Sequence, residues 1–274
     1  MKKLLFFAFL AAFGCQSAPE SVPMCHDASA EFAALGSEKN FQNAHPAPKP
    51  VALLHGGTIV EFPVEGGANG RGFLMTSHGR SNKYLLLFHE WWGLNNYVRN
   101  EANRLAHELG INVLALDLYD GKLTENAEEA GKLMQACSPE RAAAIIQGAA
   151  KYAGENADFR TLGWCFGGGW SLKASLLLGE QAKACVIYYG MPEKDVEKLK
   201  TLHTDVLMIH AKQDKWINDE TVAAFQKNMA SAGKSLTVRE YAADHAFANP
   251  SSPRFNDEAA QAARAAVLEY LRGK

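Results

Sequence analysis

The sequence has little net charge and no basic stripe. It contains 28 Lys and Arg residues against 30 Asp and Glu residues, which gives a net charge of −2. Aromatic residues are plentiful, but they are not interleaved with runs of lysine or arginine. Because binding to nucleic acid depends on basic side chains that neutralise phosphates, we expect no nucleic acid partner.

The chain also has few cysteines and no C-x-x-C pair. Its five cysteines show no spacing typical of a disulfide framework. Cys185 lies in an apolar segment and is expected to be a small buried side chain. Cys25 and Cys137 could form a disulfide in an oxidising compartment, although nothing in the sequence requires that pairing.

The apolar segment near the N-terminus is too short to span a bilayer. Residues 4–13 follow the basic segment Met1-Lys2-Lys3, and residues 1–15 are therefore interpreted as a signal peptide. The segment Ala12-Phe13-Gly14-Cys15 resembles a bacterial lipoprotein signal, in which Cys15 is lipidated and becomes the first residue. An ordinary cleaved secretory signal is the alternative. Both interpretations predict an exported protein of the periplasm or cell envelope, with membrane contact only through a lipid at Cys15.

The next segment, residues 16–50, is rich in Ala, Ser, Pro and Asn. This composition predicts mostly a tether or a wrap-around arm, with a short helix near residues 30–35. We expect the folded domain to occupy residues 51–274. That length is sufficient for one large α/β domain with a substantial core.

Strand-like and helix-like segments alternate from Gly57 onward. A glycine-rich turn separates residues 58–63 from residues 72–75, which predicts an antiparallel opening pair. The later alternation predicts a mostly parallel sheet with helices on both faces. The later strands are predicted at residues 84–88, 111–116, 159–162, 184–189, 205–210 and 236–241. The helices are predicted at residues 95–109, 125–153 with a break at Ser138-Pro139, 168–178, 220–232 and 256–271.

The most informative motif is Gly163-Trp164-Cys165-Phe166-Gly167. It has the spacing of a nucleophile elbow, with a strand predicted before it and a helix after it. The glycines leave room for the tight turn that holds the nucleophile in a strained conformation. We therefore interpret Cys165 as a nucleophile; the alternative is a buried structural cysteine in a glycine-rich turn.

Partners for a nucleophile follow later strands of the predicted sheet. Asp214 follows the strand at residues 205–210, and His245 follows the last strand. Because parallel strands bring their carboxyl ends to one edge, these side chains are expected to meet Cys165. The order nucleophile, acid, histidine is that of α/β-hydrolases. The alternatives are Asp219, which could cap the following helix, and the histidines His89, His203 and His210.

Glu90 follows the strand at residues 84–88, beside two tryptophans. It could be a solvated loop residue or half of an ion pair. We favour a buried carboxyl near the nucleophile, with a pKa raised by its apolar surroundings. The backbone N–H groups of Phe166 and Trp91 are the expected oxyanion-hole donors.

Several segments together resemble the dienelactone hydrolase family of the α/β-hydrolase fold, from about Thr58 to the C-terminus. They are His89-Glu90-Trp91-Trp92-Gly93-Leu94, Asp117-Leu118-Tyr119, the elbow with Gly168, Tyr188-Tyr189-Gly190, Gln213-Asp214 and His245-Ala246-Phe247-Ala248-Asn249. The resemblance implies that Cys165, His245 and Asp214 form a triad that hydrolyses cyclic enol-lactones. It also implies that Glu90 is coupled to activation of the cysteine when substrate arrives, and that no metal or organic cofactor is used.

The substrate pocket departs from the family pattern. Dienelactone hydrolases hold a substrate carboxylate with two arginines, at positions where this chain has Lys122 and Asn249. Lys122 could supply a charge but not a bidentate clamp, and Arg254 could enter from the next loop. The expected substrate-site residues are Glu90, Trp92, Tyr119, Lys122 and Asn249.

The sequence therefore predicts an exported hydrolase of a small ester, lactone or thioester that works through an acyl-enzyme. A recessed Cys165 is expected, because an exposed thiol risks oxidation. One alternative is a ligand-binding lipoprotein without turnover on the same fold. Another is an envelope scaffold that uses the arm at residues 16–50.

Overall fold

The computed structural model describes residues 28–54, 56–77 and 81–274. The predicted signal peptide, the lipidation site Cys15 and the cysteine Cys25 lie outside the described residues. Cys137 forms no disulfide with another described cysteine, and its sulfur lies 3.6 Å from the Leu118 carbonyl oxygen. In the described ranges, no helix is both long and apolar enough to cross a membrane.

One eight-stranded sheet organises these residues, in the order β1-β2-β4-β3-β5-β6-β7-β8. The strands are β1 (Thr58–Phe62), β2 (Gly70–Met75), β3 (Lys83–Phe88), β4 (Asn112–Leu116), β5 (Asp158–Trp164), β6 (Ala182–Tyr188), β7 (Val206–Ala211) and β8 (Leu236–Tyr241). β2 is antiparallel to β1 and β4, whereas β4, β3 and β5 to β8 are parallel. The predicted opening pair and the mostly parallel sheet are confirmed.

Helices connect the strands. They are α1 (Ala28–Leu35), α2 (Lys39–Ala44), α3 (Asn96–Leu109), α4 (Ala127–Ala136), α5 (Pro139–Ala153), α6 (Phe166–Leu178), α7 (Val196–Lys200), α8 (Asp219–Ser231) and α9 (Asp257–Arg272). α3 begins where the Asn95 side chain accepts a hydrogen bond from Val98 N–H, and it ends at Gly110 with φ 67°. The break at Ser138-Pro139 is confirmed: Ser138 caps α5, and Pro139 occupies its first turn.

The central strands are covered on both faces. All five residues of β4 are buried, and so are Leu85, Leu86, Leu87 and Phe88 of β3. Successive strand side chains point to opposite faces, so this unbroken burial requires packed helices above and below the sheet. Burial of each large apolar side chain contributes about 1.5–3 kcal/mol to stability. The central strands are therefore held firmly, and so is the edge of the sheet where the elbow lies.

Residues 28–50 pack as an arm against this domain. The Phe32 and Phe41 side chains are buried, with ring centroids 5.9 Å apart. Phe41 also contacts Trp91 and Trp216, with centroids 5.1 Å and 5.0 Å away. The sequence indicates α1 but gives no signal for α2, because six largely polar residues are too few to show a helical period.

α6 begins two residues earlier than the sequence predicts. Glycines are poor helix formers, so the pattern favours a start at residue 168. In the structure the helix begins at Phe166, and Cys165 precedes it as the N-cap residue. Close packing against neighbouring backbone overrides the weak helical preference of the glycines.

Candidate active site

Cys165 lies on a strained turn between β5 and α6. Its φ is 57° and its ψ is −120°, a conformation that costs a non-glycine residue about 1–3 kcal/mol. Its N–H donates to the Tyr188 carbonyl at 3.0 Å, and its carbonyl accepts from Gly168 N–H at 3.0 Å. These contacts hold the sulfur at the carboxyl edge of the sheet, at the start of a helix.

The elbow glycines are required by close backbone contacts. A Cβ at Gly163 would overlap the Gly167 carbonyl, and one at Gly167 would overlap the Phe88 carbonyl. A Cβ at Gly168 would approach the Gly190 Cα to 2.9 Å. The motif spacing is therefore explained by the approach of β3, β5 and α6 to one another.

His245 and Asp214 form a buried pair. His245 Nδ1 lies 2.6 Å from Asp214 Oδ2, and both side chains are 0% exposed. Asp214 Oδ1 accepts from the backbone N–H groups of Trp216 and Ile217 at 2.9 Å and 3.0 Å. Because a carboxylate only accepts, the short bond assigns the proton to Nδ1 and leaves Nε2 to exchange a proton elsewhere.

The contact between His245 and Asp214 shifts the pKa of each group so that its charged form is favoured. Burial alone would raise the pKa of Asp214, but the His245 charge and the hydrogen bonds lower it overall. Burial alone would lower the pKa of His245, but Asp214 and Cys165 together raise it well above 6.5. The pocket therefore stabilises an imidazolium next to a carboxylate.

The Cys165 thiol lies against the other side of the imidazole. Burial raises the pKa of Cys165, whereas the nearby His245 and a hydrogen bond from Phe166 N–H lower it. His245 Nε2 has no fully formed hydrogen bond to any described residue. Cys165 is only 2% exposed, so the thiol is recessed as expected. Of the two expected oxyanion donors, Phe166 lies at the sulfur through its backbone N–H.

The alternative acid and histidines have other partners. Asp219 contacts His210 Nε2 at 2.8 Å and Lys212 Nζ at 2.7 Å, and its side chain is 60% exposed. His89 Nδ1 lies 2.6 Å from the Glu90 carbonyl, and its Nε2 accepts from Leu118 N–H. His203 is exposed. Asp214 and His245 are the acid and histidine that the fold brings together beside Cys165.

Glu90 is buried beside the triad. Asn249 Nδ2 donates to its Oε2 at 2.5 Å, while its Oε1 has no partner among the described residues. Burial raises the pKa of Glu90 to about 7, although Asn249 and His245 act in the opposite direction. Asn249 Oδ1 accepts from Ser251 N–H and Oγ, which fixes its amide orientation. Asn249 therefore holds Glu90.

The other expected pocket residues separate into two groups. Trp92 and Tyr119 are buried, as is Trp91, the second expected oxyanion donor. Tyr119 packs against Phe166 with ring centroids 5.6 Å apart. The Tyr119 hydroxyl and Trp91 Nε1 have no hydrogen-bond partner in the described structure. Lys122 is exposed, and its side chain pairs with no carboxylate of the described ranges. Lys122 is thus not brought into the buried site.

Tyr189 and His45, whose ring centroids each lie 5.0 Å from that of His245, were not predicted from the sequence. Tyr189 has φ 37°, and its buried ring centroid lies 5.0 Å from that of His245. Its motif, Tyr188-Tyr189-Gly190, was the only signal in the sequence. His45, from the arm, also lies 5.0 Å from His245 between ring centroids. Nothing in its local sequence indicates this contact.

Arg254 lies at the rim of the same region. Its guanidinium carbon is 5.9 Å from the Trp216 ring centroid, and its Nε is 3.5 Å from Asp244 Oδ2. Its Nη1 is buried without a partner among the described residues. The arginine therefore lies between Trp216 and Asp244, and its positive charge acts on His45.

A separate group of possible metal ligands lies away from the triad. His210, Asp219 and Glu240 each offer a ligand atom, all within 4.8 Å of one another. Lys212 Nζ already contacts Asp219 at 2.7 Å and Glu240 at 3.6 Å. Its positive charge occupies the place that a cation would need.

A sheet of this order, with a strained cysteine, a histidine and an aspartate at its carboxyl edge, defines an α/β-hydrolase. The model of the dienelactone hydrolase family matches residues 71–273. The chain belongs to the dienelactone hydrolase family and is a hydrolase acting on ester bonds.

Relatives agree with this assignment. Protein Usf of Aquifex pyrophilus is 28% identical over 205 residues, covering 70% of this chain and 87% of that protein. The carboxymethylenebutenolidase of Pseudomonas sp. strain P51 is 31% identical over 112 residues, 40% of this chain and 46% of that enzyme. The fold is similar to that of P91, a dienelactone hydrolase-like promiscuous phosphotriesterase from metagenomic libraries. That match has a TM-score of 0.69 and 20% identity, and covers 80% of this chain and 99% of that one.

Proposed function

We propose that the protein hydrolyses a small ester, lactone or thioester through a Cys165–His245–Asp214 triad and an acyl-enzyme. The observation that carries this proposal is that the elbow cysteine lies against His245, which is itself paired with Asp214 at 2.6 Å between Nδ1 and Oδ2. A ligand-binding protein has no need of a strained thiol, an oriented imidazole and a buried carboxylate together.

The first half-reaction is attack by sulfur. His245 Nε2 takes the thiol proton as the Cys165 sulfur bonds to the carbonyl carbon, and Asp214 offsets the imidazolium charge. The backbone N–H groups of Phe166 and Trp91 stabilise the oxyanion, and each such donor contributes about 10²- to 10³-fold in rate. Collapse returns the proton to the leaving group, and water activated by His245 then releases the acid.

Glu90 controls the charge beside the thiol. A negative Glu90 raises the pKa of Cys165, since it repels the developing thiolate. With its own pKa at about 7, Glu90 is partly protonated at neutral pH, which removes this repulsion. We therefore assign Glu90 to activation of the thiol and Asn249 to positioning of Glu90.

The proposed substrate is small and activated. A thiolate is a better leaving group than an alkoxide, so strained or activated acyl groups suit this nucleophile better than peptides. Lys122 is exposed and Asn249 is bound to Glu90, so neither offers the two-pronged grip of arginine. We propose a substrate that does not depend on a bidentate carboxylate clamp at these two positions.

Turnover of 4-nitrophenyl butyrate by wild type, Cys165→Ala and Cys137→Ala tests the function. We expect Cys165→Ala to lose at least about 10³-fold in kcat/KM, whereas Cys137→Ala, which removes a thiol away from His245, keeps wild-type activity. Equal rates for wild type and Cys165→Ala would refute the proposal. Stoichiometric alkylation of Cys165 without ester turnover would favour the ligand-binding alternative instead.

Export is a separate proposal. The segment before Cys15 has the charge and length of a signal peptide, and a lipid at Cys15 would provide the membrane contact. Mass spectrometry of the mature N-terminus tests both ideas. A diacylglyceryl-modified Cys15 supports the lipoprotein, an unmodified new terminus supports simple cleavage, and a retained Met1 contradicts export.

A further inference from the structure

The arm contributes one polar side chain to the region of the triad. His45 follows α2 directly and is 6% exposed. Its ring centroid lies 4.1 Å from that of Phe41, 5.3 Å from that of Trp91 and 5.0 Å from that of His245. The family match begins at residue 71, so this contact comes from a segment outside it.

The hydrogen bond of one ring nitrogen of His45 determines whether the other nitrogen is a donor or an acceptor. His45 Nδ1 lies 2.6 Å from the Phe41 carbonyl oxygen. A carbonyl only accepts, so Nδ1 carries the proton and Nε2 presents a bare lone pair. Burial, together with the charge of His245, lowers the pKa of His45 to about 3, which keeps the ring neutral. His45 Nε2 is therefore an acceptor, and it has no partner within the described residues.

A complementary donor belongs to a ring that packs on His45, with the two ring centroids 5.3 Å apart. Trp91 is 1% exposed, and its Nε1–H also has no partner among the described residues. Indole N–H is only a donor, and the neutral His45 Nε2 is only an acceptor. A hydroxyl group can accept one hydrogen bond and donate another, so an alcohol is the functional group whose chemistry matches both atoms. Two buried, complementary and unsatisfied groups, one of them on a ring that packs on His245, are typical of a specificity site.

We propose that His45 and Trp91 bind a hydroxyl group of the substrate, so that the arm selects hydroxylated acyl esters or lactones. This inference rests on the proposed hydrolase function and adds the substrate class to it. Binding to His45 Nε2 and Trp91 Nε1 replaces the water that the hydroxyl loses on entering the site. A substrate that lacks the hydroxyl leaves both atoms unpaired and is hydrolysed less well.

A purely structural role for His45 makes a different prediction. His45 packs among aromatic rings, so its replacement could disturb the site in general. A general disturbance changes the rates of all substrates by the same factor. Loss of a specific hydrogen bond changes only the ratio between substrates with and without the hydroxyl, and it acts mainly through KM.

The test compares 4-nitrophenyl butyrate with its 2-hydroxy and 3-hydroxy analogues. The proteins are wild type, His45→Phe, His45→Gln and, as a matched surface control, His203→Phe. Phe preserves the aromatic packing but removes the acceptor, whereas Gln offers an oxygen near the position of Nε2. Melting temperatures of the four proteins show whether each is folded.

We expect wild type to favour one hydroxy ester by about 10-fold or more in kcat/KM. His45→Phe should lose most of that preference through KM, His45→Gln should recover part of it, and His203→Phe should keep it. A wild type without preference, or an unchanged ratio in His45→Phe, overturns this inference while the hydrolase stands. A wild type no faster than Cys165→Ala overturns the hydrolase, and this inference with it.

Discussion

His245 Nδ1 donates to Asp214 Oδ2 across 2.6 Å, with both side chains shielded from solvent. The contact fixes the imidazole tautomer and stabilises the imidazolium. Asp214→Asn should therefore lower kcat by about 10³- to 10⁴-fold, because an amide can turn its own N–H toward Nδ1 and reverse the tautomer. Steady-state kinetics with 4-nitrophenyl butyrate measures the loss.

Asp219→Asn is the matched control. Asp219 is the alternative acid that contacts His210 and Lys212, and it lies on the surface. Its replacement should change kcat less than about threefold, since surface substitutions generally have small effects. A loss in Asp219→Asn as large as in Asp214→Asn would contradict the assignment.

Glu90 makes the free energy of unfolding depend on pH. Its pKa rises from 4.5 to about 7 on folding, so between these values the folded state binds the proton that the unfolded state releases. The stabilising contribution of this protonation is complete below pH 4.5 and is lost as the pH rises through about 7. The full difference is on the order of 3 kcal/mol.

Glu90→Gln should remove this dependence. Urea unfolding of wild type and Glu90→Gln at several pH values measures it: the stability of wild type relative to the variant should fall between pH 4.5 and about 7. Glu65→Gln, an exposed carboxylate paired with Lys151, is the surface control. If the free energy of unfolding varied with pH in the same way for wild type and Glu90→Gln, Glu90 would have the same pKa in the folded and unfolded states, which would contradict the prediction.

Much of the site follows from the local sequence. The elbow is predictable because a strained turn, three close backbone approaches and a helix start all act within Gly163 to Gly168. The positions of Asp214 and His245 follow from the parallel sheet, in which the carboxyl ends of β7 and β8 lie at the same edge as that of β5. These predictions need only strand order and the direction of each strand.

The remaining contacts of the site depend on packing between segments far apart in the chain, which the local sequence does not predict. Asn249 holds Glu90 from 159 residues away along the chain. His45 reaches the triad because Phe41 is buried against Trp91 and Trp216, although the composition of its segment predicts mostly a tether. Lys122 shows the opposite case, since its position after Asp117-Leu118-Tyr119 suggests a pocket residue, while the loop leaves it exposed.

Gly163→Ala should prevent correct formation of the elbow. The added methyl would overlap the Gly167 carbonyl, which is backbone and cannot move aside as a flexible side chain can. We expect loss of about 2–4 kcal/mol of stability or insoluble expression, consistent with severe overpacking. Gly67→Ala is the control, because its Cβ would meet only the Arg141 Nη1 at 3.5 Å. A Gly163→Ala protein with wild-type melting temperature and activity would contradict the close approach of β5 and α6.

Phe41→Ala should release the arm while leaving the domain folded. The Phe41 ring is fully buried among Phe32, Trp91 and Trp216, and removal of such a ring costs about 3–5 kcal/mol. Because α1 and α2 lie before the sheet in the chain, this cost falls mainly on docking of the arm. Hydrogen exchange should show faster exchange in α1 and α2 and little change in β3 to β7. Phe255→Ala, which removes a partly exposed ring, should leave the arm protected. Equal protection of α1 and α2 in wild type and Phe41→Ala would mean that other contacts, such as Lys194 with Glu31 at 2.6 Å, hold the arm in place.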